Sequence, residues 1–72
     1  IAGELYGLDF YRELYRVLKP GRRVFHYVGE PGKHSRVSFL KGVKSRLELA
    51  GFVDVRWVDR AKGFTALKPR TT

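Results

Sequence analysis

Seventy-two residues without a cysteine exclude a disulfide scaffold and a cysteine-ligated metal staple, although a fold of this size buries only about 60% of the surface its unfolded chain exposes. No apolar run approaches the ~18 residues of a membrane span, and no charged-then-apolar leader points to secretion, so a cytoplasmic protein is expected. Fifteen Lys and Arg against seven Asp and Glu give a net charge of +8, which suits a phosphate backbone or simply one basic part of a larger domain. The chain has no methionine, and Ile1 is read as the start of a piece of a longer product.

Asp9 stands before a segment in which Tyr11, Leu14, Tyr15 and Leu18 recur at i, i+3, i+4 and i+7, and this spacing predicts a helix over residues 8–19. Lys19 complements the helix dipole, Pro20 cannot continue the ladder and Gly21 supplies a turn conformation. The run Val24-Phe25-His26-Tyr27-Val28 is β-branched and aromatic, too short for a helix, and apolar on both faces apart from His26. It reads as a strand from Arg23 to Val28 covered on both sides. Gly29-Glu30-Pro31-Gly32 breaks it, with Pro31 and Gly32 suited to the centre of a type II turn.

Ser35 is placed to cap a second helix, whose apolar stripe is Phe39, Leu40, Val43, Leu47 and Ala50, and Gly51 ends it. Gly42, costly inside a helix, is read as a mark of close packing against a neighbouring strand. Val53, Val55 and Trp57 alternate with Asp54 and Arg56, a strand with one better-buried face that Val58 extends. After a polar link, Gly63 to Leu67 forms a further strand close enough for a hairpin. The basic stretch from Lys68 is expected to fray.

These elements predict an α/β fold of order α-β-α-β-β. The expected sheet is three-stranded and mixed, a parallel crossover from Arg23 to Val58 plus an antiparallel hairpin, with two helices.

The motifs Leu18-Lys19-Pro20-Gly21-Arg22 and Ala50-Gly51-Phe52, with the buried strand between them, resemble the C-terminal part of a class I, Rossmann-like S-adenosylmethionine-dependent methyltransferase. In that family a helix ends in a Leu-Lys-Pro-Gly-Gly turn, a strand follows, a helix ends in Ala-Gly-Phe, and an antiparallel strand pair closes the domain. The segment Phe10 to Leu18 resembles the helix before the turn, and Phe25-His26-Tyr27-Val28-Gly29 is similar to predicted archaeal members. Two departures stand out. Arg22 replaces the second glycine, and no Gly-x-Gly loop, ribose-binding acid or Asn/Asp-Pro-Pro-type motif is present.

The resemblance implies that residues 1–68 are the C-terminal part of a methyltransferase domain and residues 69–72 a disordered basic tail. S-adenosylmethionine would be bound by the upstream half of the same domain, and this chain would be inactive alone. Ligands in open α/β sheets bind beyond the carboxyl ends of the strands. The segment Gly29 to His34 is therefore the expected acceptor-side loop, with Gly29, Glu30, Lys33 and His34 as candidate substrate-binding residues and no catalytic, cofactor or metal residue assigned.

Each candidate has a plainer reading. Glu30 also fits a solvated turn, and Lys33, His34 and Arg36 fit either an anion contact at a helix entrance or a solvated face. His26 fits a satisfied core histidine or a proton-handling group, while the Tyr11 stripe and Trp57 read as packing. A different class of function, a small basic nucleic-acid-binding α/β module, is suggested by the charge, although no zinc finger, ribonucleoprotein strand or Gly-x-x-Gly clamp is present. Finally, an unpaired edge along Arg23 to Val28 predicts self-association of the isolated chain.

Overall fold

The computed structural model describes residues 7–29 and 36–70. Helix α1 (Leu8–Val17) is followed by strand β1 (Arg23–Tyr27), helix α2 (Arg36–Ala50), strand β2 (Val53–Val58), a single 3₁₀ turn (Asp59–Ala61) and strand β3 (Gly63–Leu67). Gly7 caps α1 by accepting the Tyr11 amide at 3.3 Å, so Asp9 lies within the first helical turn, where its charge favours the dipole. The helix ends at Val17, two residues short of the expected Lys19, and the expected turn follows. Arg22 donates to the Lys19 carbonyl at 3.1 Å, with Pro20 and Gly21 between them and Gly21 at φ +84°, the pattern of a type II turn. Arg22 has no positive φ, which is why the second glycine is dispensable.

The sheet order is β1-β3-β2, and both pairings are antiparallel. This corrects the mixed sheet with a parallel crossover. Strands β1 and β2 point the same way, since each opposes β3, but they do not pair. The 3₁₀ turn folds β3 back into the gap between them, where it takes the ladder bonds of both. Register runs from Arg23↔Leu67 to Tyr27↔Gly63 on one side and from Val53↔Leu67 to Val58↔Gly63 on the other. Between Val53 and Arg56 the second ladder shifts, and Asp54 adopts φ +51° there, a bulge that carries one extra residue.

Both helices contribute to one core. Tyr11, Val43, Leu47, Phe52, Val55, Phe64 and Ala66 are buried together, with Leu14, Tyr15, Phe39, Leu40, Ala50 and Trp57 packed around them. The α2 stripe thus points inward as its spacing predicted. Edge-to-face contacts join Tyr15 to Phe52 and Trp57 to Phe64, each with centroids 5.1 Å apart, a preferred aromatic geometry.

Three further expectations are corrected. Strand β1 is covered on one side only: Val24, His26 and Val28 are partly buried, whereas Phe25 and Tyr27 are 46% and 65% exposed. At Gly42 the three atoms nearest to a Cβ belong to the Arg46 guanidinium one turn along the same helix, and not to a neighbouring strand. Lys68, where fraying was expected to begin, is firmly held. Its Nζ donates to the carbonyls of Tyr15 and Leu18, both at 2.8 Å, and lies 4.6 Å from the Tyr15 ring centroid. A cation at the carbonyl end of α1 satisfies acceptors that have no helical partner. Thr71 and Thr72 lie outside the described residues.

Candidate functional site

The carboxyl end of β1 meets the turn between β2 and β3. Lys62, held at φ +55°, accepts the amides of both Val28 and Gly29 on its carbonyl, each at 2.9 Å. The chain leaving β1 is therefore tied to a fixed point at Val28 and Gly29. Gly29 is buried at φ +85°, and a Cβ there would stand 3.4 Å from Tyr27 Oη. Of the four candidate substrate-binding residues, Gly29 is thus placed at the strand end as expected. Glu30, Lys33 and His34 lie outside the described residues, as do Pro31, Gly32 and Ser35.

The same turn carries a small polar cluster. Asp59 Oδ1 accepts from Trp57 Nε1 at 3.2 Å and from Lys62 Nζ at 3.4 Å, which braces the turn beneath the exit of β1. Sequence reasoning passed over Asp59 and Lys62 as a polar link. The signal was faint: a Lys-Gly pair after a strand specifies a turn, but not which strand its carbonyl will reach.

Between α1 and β1, the Tyr11 hydroxyl and His26 Nε2 are 2.9 Å apart and the two rings meet edge to face at 5.2 Å. Partial burial lowers the His26 pKa and favours the neutral imidazole. The pair pins α1 to β1, so His26 is a partly buried, hydrogen-bonded histidine, and Tyr11 does more than pack.

A second polar cluster spans the opposite face of the sheet. Asp54 accepts from Arg56 through Nε at 2.8 Å and Nη2 at 2.7 Å, and from Arg23 Nη2. Arg23 also reaches Thr65 Oγ1 at 3.3 Å. Hydrogen bonds from Arg56, then from Arg23, hold the Asp54 carboxyl well below the usual carboxylate range. The bulge at Asp54 brings this cluster together, and alternation alone does not reveal it.

Among the described residues, no three His, Cys, Asp or Glu side chains converge as metal ligands, and no helix is long and apolar enough to cross a membrane.

With this geometry in view, the known proteins add one relationship. The chain is 56% identical over 71 residues to the uncharacterized protein MJ1233 of Methanocaldococcus jannaschii; the match covers 97% of this chain and 25% of that protein. No family model matches. A similar sequence therefore stands as one quarter of a larger archaeal polypeptide.

Proposed function

We propose that this chain is the C-terminal part of an S-adenosylmethionine-dependent methyltransferase, supplying sheet scaffold and part of the acceptor-side loop. The observation that carries the reading is the β1-α2-β2 unit. Its two strands point the same way, and its two glycine turns fall where the resemblance assigns them. Gly21 turns α1 into β1 at φ +84°, and Gly51 turns α2 into β2 at φ +121°, with Phe52 buried immediately after it. The quarter-length match to a longer relative supports the same reading, because it leaves ample polypeptide for a cofactor-binding half.

S-adenosylmethionine, when bound to the whole protein, would supply an electrophilic methyl group. This chain lacks a Gly-x-Gly loop and a ribose-binding acid, so the cofactor's contacts are assigned to polypeptide outside it. The residues present do something narrower. Lys62 fixes where the acceptor-side loop starts, and the Tyr11–His26 pair fixes how β1 sits on α1. Positioning of this kind matters for methyl transfer, in which the nucleophile must approach the methyl carbon in line.

A basic nucleic-acid-binding module is the second reading, favoured by the net charge of +8 and the exposed Phe25 and Tyr27. It is weakened on that face by Asp54, which occupies both neighbouring guanidinium groups.

Calorimetric titration with S-adenosylmethionine separates the readings. The 72-residue chain should not bind, whereas the intact M. jannaschii relative should. Binding by the short chain alone, or none by the intact relative, would overturn the proposal.

A further inference from the structure

The two faces of the sheet differ in a way that the methyltransferase reading does not use. One is sealed by α1 and α2. By register, the other carries Arg23, Phe25 and Tyr27 from β1, Gly63, Thr65 and Leu67 from β3, and Val53 and Arg56 from β2. Val53 is 44% exposed, close to Phe25 at 46%, and Tyr27 reaches 65%. The two aromatic rings lie down on the backbone. A Cβ at Gly63 would stand 2.5 Å from Phe25 Cζ, and one at Gly29 would stand 3.6 Å from two carbons of the Tyr27 ring. The result is a flattened apolar surface beside the Arg23–Asp54–Arg56 cluster.

We infer that this open face is an interface for a second layer of polypeptide, contributed by the part of a longer protein that lies outside this chain. Three observations select that occupant. First, Asp54 already accepts from both arginines, and Arg23 is also bonded to Thr65. An internally paired cluster tolerates burial far better than an unpaired charge. A phosphate backbone would instead have to approach the carboxylate and displace it from its partners.

Second, another copy of this chain would bring the same cationic face against itself, each cluster holding two arginines and one aspartate, on chains of net charge +8. Third, the M. jannaschii relative matches 97% of this chain with only 25% of its own length, so three-quarters of its polypeptide is available to form such a layer. The covering segment should be apolar over Phe25, Tyr27 and Val53, and should place no lysine or arginine over the cluster.

The test co-expresses the tagged 72-residue chain with the part of the M. jannaschii relative outside the matched residues. The two should co-purify in equal amounts. The double variant Phe25→Asp/Tyr27→Asp should recover at least ~10-fold less partner, the loss expected on spoiling an interface centre. Leu49→Asp, on an exposed helix position, should recover as much as the parent. Circular dichroism of the double variant alone should match the parent, because neither replaced side chain belongs to the buried core. Failure to co-purify would overturn the inference, and so would equal recovery with the double variant. Binding of a single-stranded uridine ten-mer, or a concentration-dependent dimer, that the double variant abolishes would also overturn it. A complex that forms but does not bind S-adenosylmethionine removes the methyltransferase reading and leaves this one standing.

Discussion

Gly63→Ala should be among the most damaging single-methyl changes in this protein, for a reason visible only where β1 and β3 meet. Gly63 is buried and pairs with Tyr27 on one side and Val58 on the other. A Cβ at Gly63 would stand 2.5 Å from the His26 carbonyl oxygen, 2.5 Å from Phe25 Cζ and 2.8 Å from Phe25 Cε1. The ring can swing away, since Phe25 is half exposed. The carbonyl cannot move without opening the ladder between β1 and β3. Overpacking costs about 1–3 kcal/mol, and a backbone obstacle puts this site near the upper end. At roughly 4–8 °C per kcal/mol for a domain of this size, the melting temperature should fall by about 12–24 °C.

Gly42→Ala provides a control of opposite sign. A Cβ there would stand 3.1 Å from Arg46 Nη2, the free-swinging end of a long side chain. Alanine in place of glycine inside a helix should therefore raise stability by about 1 kcal/mol. Thermal unfolding followed by circular dichroism, paired with urea titration, measures both. A Gly63→Ala variant melting within about 2 °C of the parent would refute the reasoning. So would recovery of most of the loss on adding Phe25→Ala, because the ring and not the carbonyl would then be the obstacle.

Lys68→Met keeps the aliphatic stem but removes the ammonium from the Tyr15 and Leu18 carbonyls; urea titration should show a loss of about 1.5–3 kcal/mol, with α1 amides exchanging faster. Tyr11→Phe removes the hydroxyl bonded to His26 and should cost about 1–2 kcal/mol by the same measurement. Stability should fall with acid in two stages. The folded state depresses the His26 pKa, so it binds fewer protons than the unfolded chain, and stability is full above pH 6.5 and declines below it. The folded state also depresses the Asp54 pKa, so its contribution is present above pH 3.8 and is lost as the pH falls further. Urea midpoints between pH 8 and pH 4 follow the first stage, and their extension to pH 2 follows the second; His26→Phe should flatten the first and Asp54→Asn should reduce the second.

Short-range signals in the sequence located both helices and all three strands of the described fold, but not the 3₁₀ turn. Helical spacing marked α1 and the inward stripe of α2; Gly51 directly follows the end of α2, whereas α1 ends at Val17, before the turn at Pro20-Gly21 that prevents any continuation. Trp57 and the Tyr11 stripe pack as their patterns indicated. Of the segment Gly29 to His34, expected to face an acceptor, only the placement of Gly29 at the end of β1 is open to comparison.

Tertiary structure decided what depends on partners far apart in the chain. Alternation shows that Phe25 and Tyr27 share a face, but not whether a second layer covers it. The separation of β1 from β2 permits a parallel pair, yet says nothing about a later strand entering the gap between them. The pairings of Lys62 with the exit of β1, of Lys68 with α1 and of Arg23 with Asp54 depend on that insertion. Periodicity and turn chemistry are local properties of neighbouring residues, whereas sheet order is a competition among whole strands for the same hydrogen-bonding edges, resolved only when the chain is folded.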